Sequence, residues 1–538
     1  MGRLIDALEE QQHERGWLDR EGLEALAERL RVPLYRLEEL VSFYPHFRRE
    51  PPKRVTLRVC RDVACFMAGS SEHRARLEAL CARHADVEHL AASCLGRCDT
   101  APAATLGDVP VCTADLDALG ELLARPPVLA PAPPTGRRWQ CDPYARPEER
   151  YGTARALVRA GFDAASVIAT LEASGLRGMG GAGFPTGTKW KMVRAQPPGE
   201  RYVVCNADES EPGTFKDRVI LAELAHLVIE GMLLAGLTTG AEEGIVFIRH
   251  EYAPERLRLE RAIAEARAAG VLGPDALGSG RHFDVRVTVS PGGYILGEET
   301  ALIECLEDKR GEPRNKPPFP GEHGLFGKPT LINNVETFAF VPMVLREGAE
   351  AWRARGTRGA TGLKLIALAG DVVRPGVYEV PMGTTIGELV AMGGGARGPV
   401  LAVAPGGASS NFVGEGALEL ALDFKALADA GTMLGSGAVL VVCEGRDLFA
   451  LATNLVAFFR NESCGKCVPC RVGSEKAVRI LEEAVAGRGS RRHLALLPAL
   501  HRTMAETSIC GLGQVALNPF LSVLRAFGTE IGARFTEE

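Results

Sequence analysis

Fourteen cysteines are spread along 538 residues, and two sets among them carry a ligand-like spacing that any fold of this chain must honour. Cys60-x4-Cys65 with Cys94-x3-Cys98 make the first set; Cys464, Cys467 and Cys470 with the remote Cys510 make the second. Thiolates are soft ligands for iron–sulfur clusters or zinc, so each set requires loops and turns that bring four sulfurs together. A disulfide framework does not suit so long a chain in a reducing compartment. The other six, Cys81, Cys112, Cys141, Cys205, Cys305 and Cys443, are scattered and read as small buried hydrophobes.

A single hydrophobic core stops growing near roughly 250–300 residues, so several domains are expected. The composition, 46% hydrophobic and 24% charged, is that of a folded soluble enzyme. Lys and Arg number 62 against 68 Asp and Glu, a net −6 that argues against a nucleic-acid partner. The start, MGRLIDALEEQQHERGW, carries acids where a signal peptide needs apolar residues, and Asp6 breaks the myristoylation pattern after Gly2. Glu230 interrupts the richest apolar stretch, Leu227–Leu237, so no membrane span is expected and the chain reads as cytoplasmic.

Periodicity divides the chain further. Leu4, Ile5 and Leu8 share a helix face that Gly16 ends; Asp19 can cap a helix over Glu21–Leu30, and Pro33 starts another with Leu34, Leu37 and Leu40. This helical bundle occupies residues 1–47. Residues 48–125 read as a small α/β unit: a strand through Val55, Leu57 and Val59, a helix over Ser70–His84, then short strands around Ala104 and Val109–Cys112. A proline-rich linker fills 126–145. Residues 146–355 alternate helix and strand, including Arg201–Cys205, Ala222–Thr238 and Gly244–Arg249, as an α/β core does. Short β runs and a helix at Thr385–Met392 mark an α+β insert over 356–445; residues 446–538 are helical and hold the second cysteine set.

Structural zinc usually prefers hooks of the C-x2-C kind, so the first set favours iron and sulfur. Three close thiolates and one distant one suit a cubane, with zinc left open on spacing alone. Gly178, Gly180 and Gly183 spell G-x-G-x-x-G, but a Rossmann fingerprint follows a strand, whereas Ala164–Ser174 is helical by period, with Val167, Ile168 and Leu171 on one face. Such a loop can still hold phosphate through its backbone N–H groups and the nearby cation Lys189, or be a structural turn.

VSFYPHFRRE, VCRDVAC and SCLGRCDTAP resemble the thioredoxin-like 2Fe-2S subunit of respiratory complex I, over residues 1–125. GLRGMGGAGFPTGTKW, CNADESEPGTFKDR, GGYILGEETALIECLEDKRGEPRNKPPFP and NNVET resemble its NADH-binding, FMN-containing subunit, over Arg146 to the C-terminus. GDVVRPGVYEVPMGTTIGELV resembles the β-grasp domain such subunits carry, read here as a structural spacer. The resemblance implies a multidomain α/β and α+β fold: a helical bundle, a thioredoxin-like 2Fe-2S domain, a non-standard Rossmann-like FMN and NADH domain, the insert, and a C-terminal helical bundle holding 4Fe-4S.

It also implies site residues. Cys60, Cys65, Cys94 and Cys98 fall at 2Fe-2S ligand positions; Cys464, Cys467, Cys470 and Cys510 at 4Fe-4S positions. Gly178, Gly180, Gly181, Gly183 and Lys189 match the FMN phosphate region, while Asn206, Asp208, Glu209, Tyr294, Gly297, Asn333 and Asn334 match flavin contacts. Phe184, Glu211, Glu298, Glu299, Lys316 and Phe319 align with the nicotinamide nucleotide site, where the rings offer stacking faces and the acids disfavour the extra phosphate of NADP. Taken alone, either aromatic is better explained as core packing. Met192 stands where the family often has phenylalanine, a flexible thioether that gives apolar contact but a less rigid stacking surface.

No side chain is expected to act as a nucleophile, because flavin accepts a two-electron hydride and clusters take single electrons. The chain resembles fused diaphorase subunits, most closely the β subunit of NAD-linked formate dehydrogenase. That implies a larger catalytic partner, a molybdenum or tungsten formate dehydrogenase α subunit, with NAD-reducing nickel-iron hydrogenase or complex I as alternatives. A non-catalytic iron–sulfur scaffold or redox sensor is the alternative of another class.

Overall fold

Local signals set the first helices of the computed structural model, which describes residues 4–69 and 71–536. Asp19 caps the helix Arg20–Leu30 by accepting the Gly22 N–H at 2.7 Å, and Pro33 precedes the helix Leu34–Phe43. Ile5, Leu8, Leu37 and Leu40 fill the bundle core. Gly2 and the expected first residue of the next helix, Ser70, lie outside the described residues; that helix is seen over Ser71–Ala82.

The first cysteine set sits on a four-stranded sheet ordered Val87–Ala92, Val55–Cys60, Ala103–Leu106, Val109–Cys112. Its edge strand, Val87–Ala92, pairs parallel to Val55–Cys60 and leaves His89, Leu90 and Ala91 exposed. It therefore lacks the apolar alternation by which a half-buried strand is recognised.

A second, all-parallel sheet, ordered Asp284–Ser290, Glu243–Arg249, Tyr202–Ala207, Thr330–Asn334, forms the centre of the molecule. Its two inner strands, Tyr202–Ala207 and Glu243–Arg249, are buried and nearly continuous in apolar residues, as parallel strands covered on both faces are, whereas the edge strand Asp284–Ser290 is only partly buried. The expected helix at Ala222–Thr238 is instead two, Lys216–Glu223 and Ala225–Thr239, bent by 93°. Among the described residues no single helix is long and apolar enough to cross a membrane.

The insert is a third sheet, ordered Gly376–Pro381, Leu363–Gly370, Ala438–Cys443, Val400–Ala404, with the helix Ile386–Met392 opened by a Thr385–Glu388 capping box. The proline-rich segment is extended and fastened along its length. Ala132 N–H donates to the Pro254 carbonyl at 3.0 Å, Arg137 stacks on Trp139, and the N–H groups of Gln140 and Cys141 both donate to Glu379 of the insert. Of the scattered cysteines, Cys81, Cys141, Cys205, Cys305 and Cys443 are buried as expected, whereas Cys112 is exposed because its strand is the sheet's other edge.

Glu230, the charge inside the apolar stretch, is fully buried in Ala225–Thr239. It accepts the Tyr144 hydroxyl at 2.8 Å and the Ala154 N–H at 2.9 Å, pinning the segment after the linker to the central helix. Burial pushes its carboxyl up to about 7. An acid whose pKa is raised on folding stabilises the fold when protonated, so this contribution is full below about 4.5 and is lost as pH rises through 7, by up to about 3 kcal/mol. In chemical denaturation at pH 5 and pH 8, Glu230→Gln is expected to lose less stability between the two than the unchanged chain. An identical pH slope in both would refute the assignment.

Candidate functional site

The four cysteines of the first set are buried at the ends of the N-terminal sheet. Cys60 closes its strand, Cys65 lies in the short helix Val63–Ala68, Cys94 follows the edge strand and Cys98 opens a single helical turn. The Cys94 and Cys98 sulfurs are 3.8 Å apart, the Cys60 thiol meets those of Cys65 and Cys94, and Ala103 N–H donates to the Cys65 sulfur at 3.3 Å. In the second set, Cys464 and Cys467 occupy the turn between helices Leu448–Asn461 and Val468–Val485, Cys470 sits on the latter, and Cys510 caps Gly511–Val515. Burial pushes the Cys470 thiol up to about 11 and Cys510 up to about 12, so each is costly as an anion until a metal takes it. Four cysteines gathered in each set fit an iron–sulfur cluster, which divides its thiolates among several irons.

Between the sets lies a cavity of about 420 Å³ above the carboxyl ends of the central sheet. Gly180, Gly181, Asn206, Asp208, Glu209 and Glu211 line one part of it; Tyr294, Gly297, Glu298 and Asn334 line another, and Cys510 closes it toward the second cysteine set. Asn206 donates to the Gly297 carbonyl at 2.8 Å, which holds the two loops together. Burial pushes the Asp208 carboxyl up to about 7, and its Oδ1 is buried without a hydrogen-bond partner. Burial raises Glu209 as well, although it accepts the N–H groups of Asp217 and Arg218 and the Tyr252 hydroxyl. The Tyr294 ring is held edge-on by Phe458 and Phe459 of the C-terminal bundle.

The remaining expected residues lie elsewhere around this cavity's loops. The glycine loop runs between helices Ala164–Ser174 and Thr186–Arg194 and is closed by Gly178 N–H to the Phe184 carbonyl at 2.8 Å. Gly183 has φ +64° and packs so closely on Phe424 of the insert that a Cβ would meet the ring at 2.7 Å. Lys189 is not on the wall: it donates to Glu299 at 3.1 Å and to the Ile332 carbonyl at 2.8 Å. Lys316 bridges Glu298 and Glu299 at 2.8 and 3.1 Å. Burial works against the Glu299 anion, yet Lys189 and Lys316 together hold its carboxyl below the usual range. Asn333 is buried and accepts the Trp190 indole N–H at 3.0 Å. Phe184 and Phe319 are 47% and 48% exposed, so neither ring is core packing.

Comparison with known proteins decides what this arrangement is. The Nuo51 FMN-binding domain family matches residues 171–343, the NADH-ubiquinone oxidoreductase-F iron-sulfur binding region 450–534, the thioredoxin-like 2Fe-2S ferredoxin family 1–125 and the SLBB domain 365–409. The F 2 subunit of NADH-quinone oxidoreductase in Rhizobium meliloti (strain 1021) is 44% identical over 374 residues, 69% of this chain and 89% of the relative. The chain belongs to the family of NADH-quinone oxidoreductase F subunits. The NADP-reducing hydrogenase subunit HndC of Solidesulfovibrio fructosivorans is 41% identical, over 70% of this chain and 77% of its own. A crystal structure of NAD+-reducing NiFe-hydrogenase in the H2-reduced state covers 99% of this chain and 93% of its own at 32% identity, with a TM-score of 0.88.

This member of the family is thus an NAD(H)-dependent flavin and iron–sulfur electron-transfer subunit, with FMN, 4Fe-4S and 2Fe-2S regions in one chain. The insert is more than the spacer its sequence suggested. Gly406, Ser409, Met433, Gly435 and Ser436 line the cavity, and Ser409 N–H donates to Glu211 at 2.8 Å. The only sequence signal for this was the run Gly-Gly-Ala-Ser-Ser at 406–410. Arg249 ties the first cysteine set to the same cavity, donating to the Glu209 carbonyl at 2.5 Å and the Cys94 carbonyl at 2.6 Å.

Beneath the cavity runs a row of charges shut off from water. Lys216 meets Asp217 at 2.7 Å and Glu336 at 2.8 Å; Glu336 also binds Lys364 of the insert and accepts Leu365 N–H at 2.7 Å. Asn334, on the cavity wall, joins the row through Asp217 at 2.6 Å. Removing Lys364 leaves Glu336 buried with one ammonium partner instead of two, so Lys364→Met is expected to cost about 2–3 kcal/mol and to lower FMN retention. Adding Glu336→Gln should recover part of the stability in a double-mutant cycle. Strict additivity of the two losses in denaturation would show that the charges act independently.

Proposed function

We propose that FMN occupies the cavity, held by the Gly178–Gly183 loop, Asn206, Asp208, Glu209, Tyr294, Gly297, Asn333 and Asn334, with the nicotinamide nucleotide at Phe184, Glu211, Glu298, Glu299, Lys316 and Phe319. The observation that carries this is the shared wall: Asp208, whose Oδ1 is a buried acceptor without a partner, and Cys510, a proposed cluster ligand, face one cavity. Bound FMN would supply the exchange between a two-electron hydride and one-electron carriers. The chain's own residues bind and orient. Half-exposed Phe184 and Phe319 offer ring faces to an adenine, and Lys316 can turn from its two glutamates to a nucleotide oxygen. Tyr294, wedged against Phe458 and Phe459, keeps water from the side nearest Cys510.

Cys60, Cys65, Cys94 and Cys98 would hold the 2Fe-2S cluster, and Cys464, Cys467, Cys470 and Cys510 the 4Fe-4S cluster. Around the second set Val468, Val472 and Ile509 are exposed, an apolar rim consistent with a partner seated where electrons leave. We propose a cytoplasmic assembly with a molybdenum- or tungsten-containing subunit that oxidises formate, on the resemblance of GGYILGEETAL and GEPRNKPPFP. The full-length likeness to an NAD+-reducing NiFe-hydrogenase favours a second reading, a hydrogen-oxidising partner. Purifying the assembly and assaying its metals and its formate- or hydrogen-linked NAD reduction separates the two. In either assembly Cys467→Ser should stop partner-linked NAD reduction while NADH still bleaches the flavin; full linked turnover would remove the proposed route.

Glu211 tests the nucleotide site. Glu211→Gln keeps size and one acceptor but removes charge, so FMN should stay while the KM for NADH rises. Relief of repulsion worth about 1–2 kcal/mol corresponds to roughly a five- to thirtyfold gain in relative NADPH use. Specificity constants for both nucleotides, measured with ferricyanide as acceptor, check this. An unchanged preference and KM with lower FMN content would assign Glu211 to the flavin site instead.

A further inference from the structure

A second cavity, of about 530 Å³, opens where the N-terminal bundle, the first cysteine domain, the flavin domain and the second cysteine loop meet. Ser210, Tyr294 and Ile295 separate it from the flavin cavity and face both. Its wall is rich in cations: Arg58, Arg61 and Arg310, with His46 and His250 between them. The acids on that wall are already engaged. Glu251 pairs with Arg249 at 2.9 Å, and Glu462 accepts the Ser93 hydroxyl and the Tyr294 N–H.

The cations are engaged far less. Arg58 reaches the Gly107 carbonyl at only 3.4 Å, and Arg310 stands 4.0 Å from Glu312 with its Nε buried and unpartnered. The rings of His46 and His250 lie 4.4 Å apart; the His46 Nδ1 is buried without a hydrogen-bond partner, and the His250 Nδ1 lies 3.5 Å from the Glu251 carboxylate. Gly292, at φ +94°, leaves the cavity open here: a Cβ would lie 3.1 Å from the His250 ring and 3.3 Å from Pro45. Several guanidinium forks lining one concave site match the several oxygens of a phosphate better than they match one carboxylate. The volume is that of a small-molecule pocket.

We propose that this second cavity binds a small phosphorylated anion, between pyrophosphate and a mononucleotide in size, through Arg58, Arg61 and Arg310, beside the rings of His46 and His250. The bound anion ties the N-terminal unit to the loop Gly292–Tyr294, and so to the wall of the flavin cavity. This gives the chain a site at which a metabolite's phosphate is felt by the redox centres without entering the nucleotide site.

The test uses the holoprotein, with FMN and both clusters, saturated with NAD so that the nucleotide site is filled. Inorganic pyrophosphate is titrated calorimetrically at ionic strength held constant with potassium chloride. One saturable site is expected, weakened tenfold or more in the double variant Arg61→Gln/Arg310→Gln and less in Arg310→Lys, with FMN content and both cluster EPR signals retained. Absence of saturable binding, or equal affinity in the double variant, overturns the proposal. A shift of the cluster potentials in that variant with pyrophosphate affinity unchanged also overturns it, because the arginines would then serve only to offset cluster charge.

Discussion

Lys216, Asp217, Glu336 and Lys364 form a row of charges almost without contact with water, and the relative position of flavin domain and insert follows from it. Ions taken from water cost several kcal/mol each, repaid only in good geometry with every remaining lone pair used. Here the geometry is closed: Glu336 serves two ammonium groups and a strand N–H, while Asn334 caps the helix that carries Glu336 and binds Asp217. Displacing the insert would leave charge unpaired in the interior. Asp217 and Asn334 also line the flavin cavity, so the constraint that seats the insert also shapes the cavity floor.

Arg249 does for the first cysteine domain what Glu336 does for the insert. It is buried, paired with Glu251, and spends its other donors on the carbonyls of Glu209 and Cys94. Arg97 and Glu255 add a buried bidentate pair across the same seam, and Arg218 reaches Asp99 at 2.6 Å. A cysteine of the first set and a loop of the flavin cavity are thereby fixed to one guanidinium. Separate sheets carry them, but one hydrogen-bonded group sets their spacing.

Much of this was readable beforehand because it depends on short-range rules. The cap at Asp19, the helix at Thr385–Met392 and the apolar periods around Leu37 and Ile168 need only neighbours in sequence. Where the readings failed, long-range packing decided. The strand Val87–Ala92 exists because Val55–Cys60 offers it an edge, not because its own residues alternate. The helix expected across Ala222–Thr238 breaks near Leu224 where Lys216–Glu223 turns to place Lys216 and Asp217 in the charged row. The insert read as a spacer because Gly406 and Ser409 show their role only beside Glu211, about two hundred residues earlier.

By itself the sequence determined the fold class and the kind of chemistry, and it grouped the cysteines proposed as ligands, since long ordered motifs specify local geometry and identity together. The tertiary structure decided which groups share a cavity and what state they are in. Asp208 and Glu209 become poor anions, Lys189 is claimed by Glu299, and Phe184 and Phe319 stay at the surface. Those outcomes depend on desolvation and on partners distant in the chain, and neither is a property that a residue carries in its own neighbourhood of the sequence.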